Sequence, residues 1–148
     1  MGRILALDLG ERRTGAAVSD ELGYTAQPAG MWERVGYKDD LAGVKKLMAE
    51  YQIERIVVGH PLNMDGTRGE RAMACERIAE KLKKDLGIEV SLWDERMTTM
   101  GAERMMIDAG VRRDKRKKVI DQMAAQLILS GWLTARPDKK PGKDVSGE

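Results

Sequence analysis

The chain has 148 residues, of which 42% are hydrophobic and 34% are charged, and its net charge is +2. This length suits one compact domain and excludes most two-domain machines, including kinases that clamp a nucleotide between two lobes. The single cysteine excludes an intramolecular disulfide, and the single histidine excludes a multi-histidine zinc site.

Apolar periodicity and turn residues predict an α/β chain in which three strands precede alternating helices and strands. The predicted elements are strands at 3–8, 15–19 and within 23–33, a helix over 41–51, a strand at 53–59, a helix over 72–86, a strand at 88–93, and helices at 99–109 and 118–133. The order β-β-β-α-β-α-β-α-α implies a mixed five-stranded sheet with helices on both faces and right-handed crossovers.

Residues 1–135 are expected to form the single domain. Residues 136–148 combine two prolines, two glycines and seven charges, which predicts a disordered tail. No run approaches the ~20 apolar residues of a membrane span, and the first apolar run ends at Asp8, too early for a signal peptide. Cys75 falls in register with apolar helix positions and is interpreted as core, although a dyad with His60 is not formally excluded. A cytoplasmic protein without a membrane partner is expected.

Acidic residues follow two strands of the predicted sheet. Asp8 closes the first strand, and Asp94 and Glu95 follow the last. Ligands of such sheets bind beyond the carboxyl ends of parallel strands. Asp121 lies near the predicted start of the last helix, on the face that small residues would pack against the sheet. The alternatives are salt bridges at the strand ends and, for Asp121, favourable alignment with the helix dipole.

Together, Asp8, Glu95 and Asp121 make a candidate cluster of three carboxylates without a histidine. Such hard oxygen ligands suit Mg²⁺ or Mn²⁺. Two ions ~3.5–4 Å apart can stabilise the attacking and leaving oxygens of phosphodiester cleavage. The three acids are therefore predicted to be both catalytic and metal-binding. Asp94 is the reserve candidate, because a one-residue register error would exchange it with Glu95.

Basic and hydroxyl side chains around these acids suggest an anionic polymer as the substrate. Residues 112–118 hold six basic residues and one acid, a local charge of +5, so the rest of the chain nets −3. No aromatic residues interleave the run, so contacts to backbone phosphates are favoured over base stacking. The predicted nucleic-acid-binding residues are Arg12, Arg13, Asn63, Thr67, Arg71, Arg96, Thr98, Thr99, Arg116 and Lys117. The alternatives are a solvated charged face for the run and a helix N-cap for Thr98.

Four motifs in order resemble the YqgF/RuvX family. They are Asp-Leu-Gly-Glu-Arg-Arg-Thr-Gly at the start of residues 8–20, Val-Gly-His-Pro-Leu-Asn-Met-Asp-Gly-Thr at 58–67, Asp-Glu-Arg-Met-Thr-Thr at 94–99 and Arg-Lys-Lys-Val-Ile-Asp at 116–121. The resemblance spans residues 3–133. Thr14 and His60 depart from the family pattern, since aliphatic residues are usual there; His60 is interpreted as a loop histidine with a protein partner or as a substrate contact.

The resemblance implies an RNase H-like fold related to Holliday-junction resolvases. Family members are described as nucleases that mature the 5′ end of pre-16S ribosomal RNA or as junction resolvases. The family's acidic positions correspond to Asp8, Glu95 and Asp121. A hydrolase that cleaves RNA in ribosome biogenesis with Mn²⁺ or Mg²⁺ is therefore expected.

Two alternatives stay open on the sequence, and the length of the chain argues against a third. The first is a DNA or Holliday-junction nuclease, and the second is an RNA-binding assembly factor without catalysis. An actin-like ATPase or sugar kinase shares the Asp-x-Gly hairpin, but the chain is too short for the second lobe. The sequence does not decide cleavage polarity, the preferred metal, or whether the chain forms a homodimer.

Overall fold

The computed structural model describes residues 2–136, apart from the side chains of Met97 and Thr98. The strands are β1 (Arg3–Leu9), β2 (Arg13–Ser19), β3 (Ala26–Glu33), β4 (Ile53–Gly59) and β5 (Glu89–Trp93), and the helices are α1 (Tyr37–Glu50), α2 (Glu70–Leu86), α3 (Arg96–Asp108) and α4 (Arg113–Ala135). Their order confirms the predicted α/β succession. The predicted tail lies outside the described residues from 137 onward.

The five strands form one mixed sheet in the order β3-β2-β1-β4-β5. Strand β2 runs antiparallel to both β1 and β3, whereas β1, β4 and β5 are parallel. Leu7 of β1 pairs with Val58, and Gly59 of β4 pairs with Trp93. The carboxyl ends of the three parallel strands therefore meet at one edge of the sheet, where Asp8 and Glu95 are found.

Each face of the sheet carries its own hydrophobic core. On one face, Leu5 and Leu7 belong to a cluster with residues of α1 and α2. On the other, Ile4 and Ala6 belong to a cluster with residues of α4. Because side chains alternate along a strand, Asp8 shares the face of Ile4 and Ala6 and is directed toward α4. The predicted arrangement of helices on both faces is thus confirmed.

The last two helices begin earlier than predicted. Helix α3 starts at Arg96 with Glu95 at its N-cap, so the alternative of Thr98 as the N-cap is wrong. Helix α4 starts at Arg113, so most of the basic run forms its first turns instead of a loop before it. Apolar periodicity is missing from these turns, but arginine and lysine are good helix formers. Asp121 consequently lies in the third turn, where the helix dipole has little influence.

Two further predictions concern the reactivity of Cys75 and the presence of a membrane-spanning helix. Cys75 is buried in the core, and burial raises the pKa of its thiol to about 11, so it is a poor nucleophile at neutral pH. Among the described residues, no helix combines the length and apolar character that crossing a membrane requires.

Candidate active site

Asp8, Glu95 and Asp121 line one groove of about 1260 Å³ between the sheet edge and α4. Strand β1 supplies Asp8, the turn after β5 supplies Glu95, and α4 supplies Asp121. The first two carboxyl residues are partly buried, while Asp121 is exposed. The described residues contain no set of three potential ligands already close enough to hold a single ion. The groove therefore brings the acids to one place without joining them in one preformed three-ligand cage.

Gly59 makes this arrangement of Glu95 possible. It ends β4 beside the last residue of β5, on the face that α4 covers. A Cβ atom at this position would lie 2.8 Å from Oε2 of Glu95 and 2.6 Å from Cδ1 of Ile128. Both distances are below van der Waals contact. The absence of a side chain here leaves room for the Glu95 carboxylate between β4 and α4.

Partial burial disfavours the ionised form of the carboxyl groups of Asp8 and Glu95. Burial raises the pKa of Asp8, and the negative charge of Asp121 raises it further. Burial likewise raises the pKa of Glu95, and the charge of Asp8 adds to that effect. Asp8 is thus the acid that couples electrostatically to both of the others. A cation in the groove would relieve both penalties.

Arg71 is the cation that this chain itself places among the acids. It is the second residue of α2 and lines the same groove. Its guanidinium lowers the pKa of both Asp8 and Glu95, which opposes the effect of burial. One Nη atom donates a hydrogen bond to the backbone oxygen of Leu9 at 3.4 Å. Arg71 is therefore held at the base of the groove with donors available to an anion.

The donor set fits a divalent cation. Among the described residues, no hydrogen-bond donor contacts the carboxylate of Asp8 or Glu95. Partly buried carboxylates usually accept hydrogen bonds, so these two are available to another electropositive partner. Oxygen donors without histidine or thiolate match the preference of Mg²⁺ and Mn²⁺. Asp8, Glu95 and Asp121 are the residues that would hold such ions.

The predicted nucleic-acid-binding residues fall into two groups. Those that line the groove with the acids are Arg12, Arg13, Arg71, Thr99 and Lys117. Arg116 is turned away from it: its side chain donates to the backbone oxygen of Val111 at 2.7 Å and is mostly buried. The side chain of Thr98 lies outside the described residues. Lys118 also lines the groove but was not singled out from the sequence. Helical spacing is the signal that would have found it, because Lys118 precedes Asp121 by three residues and therefore shares its face of α4.

Arg96, Asn63 and Thr67 shape a neighbouring loop. Arg96 pairs with Asp94 at 2.8 Å, and its Nη1 donates to the backbone oxygens of Asn63 and Met64, each at 3.0 Å. Asn63 donates from its side-chain amide to the Thr67 hydroxyl at 2.9 Å. The structure thus occupies Asp94, the reserve metal ligand, in an ion pair that lowers its pKa. Arg96 ties the loop after β4 to the end of β5.

His60 has a protein partner in the same region. Its Nε2 lies 2.7 Å from Oε2 of Glu76, and Nε of Arg68 donates to that oxygen at the same distance. These two partners lower the pKa of Glu76 to about 2. The backbone N–H of His60 donates to the oxygen of Trp93 at 2.8 Å. The interpretation of His60 as a loop histidine with a partner agrees with this geometry.

The raised pKa values of Asp8 and Glu95 predict a pH-dependent stability in metal-free protein. Groups whose pKa is higher in the folded state contribute stability below the unfolded pKa of ~4, and this is lost as pH rises through the folded pKa. Asp8→Asn removes one such titration. In EDTA the variant should therefore have a higher Tm than the wild type at pH 7, and the difference should shrink toward pH 4. Thermal unfolding followed by circular dichroism measures this; a variant that melts below the wild type at pH 7 would contradict it.

Comparisons of sequence show what the chain resembles. The model of the RuvX family, described as Holliday junction resolvase, matches residues 2–135. One protein of Myxococcus xanthus and one of Bacillus cytotoxicus are each 47% identical to this chain, over 133 and 137 residues respectively. Both carry the name "Putative pre-16S rRNA nuclease". Each match covers 90% of this chain, and the two cover 88% and 99% of the respective relatives.

A comparison of folds gives a matching result. The T. thermophilus RuvC structure, in complex with a Holliday junction substrate, superposes with a TM-score of 0.55. The match covers 92% of this chain and 96% of that chain, at 15% sequence identity. At this identity the likeness concerns the fold alone, and it confirms the expected RNase H-like architecture.

Proposed function

The chain belongs to the RuvX family, and on that premise we propose that it cleaves RNA during maturation of the 5′ end of pre-16S ribosomal RNA. The family and its nuclease-named relatives make it a hydrolase that acts on phosphodiester bonds. We further propose that the substrate is RNA and not DNA, that the cofactor is Mn²⁺ or Mg²⁺, and that the protein acts in the cytoplasm. Residues 1–135 are proposed as the catalytic domain.

The observation that carries the proposal is the groove that contains Asp8, Glu95 and Asp121 together with basic side chains. Two of the acids accept no hydrogen bond within the described chain, and burial makes them costly anions there. Carboxylates that are partly buried and accept no hydrogen bond destabilise a fold unless a cation offsets their charge, and Arg71 offsets it only in part because the pKa values of both acids stay raised. The arrangement is accounted for by cations that the acids hold for catalysis.

In this proposal the three acids hold one or two divalent ions, and the chain's other residues hold the substrate. Such ions, when bound, would supply Lewis acidity at the phosphate and would make a water molecule more acidic. Arg71 donates to the phosphate next to the scissile bond, since it lies among the acids with donors free. Arg12 and Arg13 on the β1–β2 turn, and Lys117 at the start of α4, hold phosphates along the groove.

A substrate panel tests the proposal. Labelled pre-16S RNA with its 5′ extension, an unrelated single-stranded RNA and a four-way DNA junction are incubated with the full chain in Mn²⁺, Mg²⁺ or EDTA. We expect metal-dependent cleavage of the precursor near the mature 5′ end. Preferential cleavage of the junction would instead assign the chain to DNA, and tight precursor binding without cleavage in either metal would assign it to assembly without catalysis.

Neutralising two lysines tests the phosphate contacts on α4, because each contact releases counterions and so adds to the salt dependence of binding. Lys117→Gln with Lys118→Gln removes two charges from the groove, so the slope of log affinity against log salt should fall by ~0.7 per lost contact on single-stranded RNA. Lys83→Gln with Lys84→Gln makes the same change in the last turn of α2, away from the groove, and should leave the slope unaltered. Fluorescence anisotropy over a salt series measures both. Equal slopes for the two double variants would show that Lys117 and Lys118 do not contact phosphates and form part of a solvated helix face.

A further inference from the structure

Asp40 is a fully buried carboxylate that lies outside the groove. It belongs to α1, and its side chain is 0% exposed. It accepts hydrogen bonds from Thr14 Oγ1 at 2.6 Å and from Trp32 Nε1 at 3.1 Å. Arg34 completes the set, with Nε and Nη2 donating to Oδ2 at 2.9 and 2.7 Å. Burying an ion pair contributes little stability compared with apolar residues of the same size, so its presence calls for another explanation.

Arg34 joins this buried pair to the β1–β2 turn. Its remaining terminal nitrogen, Nη1, donates to the backbone oxygen of Gly10 at 2.9 Å. The backbone N–H of Arg34 donates to the oxygen of Arg12, also at 2.9 Å. Within the turn, the N–H of Gly10 donates to the oxygen of Arg13 at 2.9 Å. One arginine therefore fixes both sides of turn 10–13.

Turn 10–13 is part of the groove wall. Gly10, Arg12 and Arg13 line the groove with Asp8, which precedes the turn by two residues. The guanidinium of Arg34 is planar and is itself held at two nitrogens by Asp40, so its third contact has a defined direction. The position of the turn relative to Asp8 is thereby coupled to a rigid group in the core.

We infer that Arg34 and Asp40 are positioning residues for substrate: they hold turn 10–13 so that Arg12 and Arg13 meet the phosphates that lie against Asp8. This inference rests on the proposed function, because it concerns the same groove. Neither residue touches the substrate. Thr14 and Trp32 also donate to the carboxylate of Asp40, but among the described residues neither side chain donates a hydrogen bond to the turn, so we assign them only the role of satisfying the buried charge.

Two variants separate positioning from stability. Arg34→Lys keeps the charge beside Asp40, but its single nitrogen cannot also reach Gly10 in the same geometry. Thr14→Val removes one donor from the same carboxylate and leaves the turn contacts intact, so it serves as the matched control. Both are expected to lower Tm. Only Arg34→Lys is expected to raise KM, by about tenfold, the lower end of what loss of an orienting outer-shell contact costs, and to reduce the salt slope of RNA binding.

A double-mutant cycle with Arg12→Gln adds a readout that a structural role would not change. If Arg34 acts through the turn, Arg12→Gln should cost less affinity in the Arg34→Lys background than in the wild type. Affinity is measured by anisotropy without cleavage, so the inference is testable even if the wild type cleaves none of the panel. Additive losses, or a KM and salt slope of Arg34→Lys equal to those of Thr14→Val, would overturn the inference.

A measurement on the wild-type chain covers the case in which Arg34→Lys does not fold. The amides of Gly10 and Arg34 should exchange with deuterium as slowly as those of β1, because both donate to backbone oxygens of a fixed turn. Exchange of these two amides at the rate of free loop amides would show that the turn is not held, and would overturn the inference.

Discussion

Asp8→Asn is expected to reduce cleavage by at least ~100-fold while the protein stays folded. Loss of a contact that merely orients a metal ligand already costs 10–100-fold, and Asp8 is proposed as a ligand itself. It is also the acid that couples to both Glu95 and Asp121. The amide keeps the size of the side chain but removes the charge that balances a cation. The rate is measured on the 5′-extended precursor in saturating Mn²⁺.

The control for this variant is Asp108→Asn, the same chemical change at the exposed end of α3. It should cleave at the wild-type rate. Circular dichroism and thermal unfolding should show both proteins folded, with Asp8→Asn at least as stable as the wild type without metal at pH 7. A folded Asp8→Asn protein that cleaves at the wild-type rate would show that Asp8 is not catalytic.

Gly59→Ala is expected to lower kcat by ~10–100-fold with little change in KM. The added methyl group would meet Glu95 Oε2 at 2.8 Å and Ile128 Cδ1 at 2.6 Å. Oε2 ends a flexible side chain that can rotate away, whereas Ile128 is buried in the core at 1% exposure and has to repack. Displacing a catalytic group by ~1 Å can cost ~100-fold in rate. Extra methyl groups in a packed site destabilise by ~1–3 kcal/mol, which thermal unfolding should detect.

Gly101→Ala provides the same substitution where a Cβ atom meets nothing within 4 Å. It lies inside α3, where alanine in place of glycine stabilises by ~0.5–1 kcal/mol, and activity should be unchanged. Adding Ile128→Val to Gly59→Ala removes the clashing Cδ1 atom. This second change should recover stability without recovering the rate, since Glu95 stays displaced. Full recovery of the rate in the double variant would mean that Ile128, and not Glu95, carries the effect of Gly59→Ala.

The sequence predicted those features that depend on short-range pattern. Asp8 and Glu95 follow apolar strand runs, and parallel strands bring their carboxyl ends to one edge, so their meeting place was predictable. Asp121 was predictable from the small residues on its helix face. The start of α4 was not, because its first turns lack apolar periodicity and only helix propensity indicates them. That error placed Arg116 in the groove, whereas Lys118 was omitted although it lay inside the predicted helix, three residues before Asp121.

The features that the sequence did not predict depend on contacts between side chains that are distant along the chain. Arg96 was predicted to bind nucleic acid, but the structure directs it to Asp94 and to the loop after β4. The pairing of Arg34 with Asp40 and its reach to Gly10 depend on how α1 packs against the edge of the sheet, which no local pattern specifies. Nor does a local pattern specify the hydrogen bond that the Thr14 hydroxyl donates to Asp40 at 2.6 Å.

A sulfur substitution at the scissile phosphate tests most directly whether the acid groove catalyses cleavage through divalent ions. The bond cut in the precursor RNA is mapped first, and one non-bridging oxygen there is replaced by sulfur, which binds Mn²⁺ better than Mg²⁺. We expect the modified RNA to be cleaved slowly in Mg²⁺, Mn²⁺ to restore much of the rate for the wild type, and Mn²⁺ to restore none of it for Asp8→Asn. Cleavage that continues in EDTA, or equal slowing in both metals for both sulfur diastereomers, would contradict this expectation.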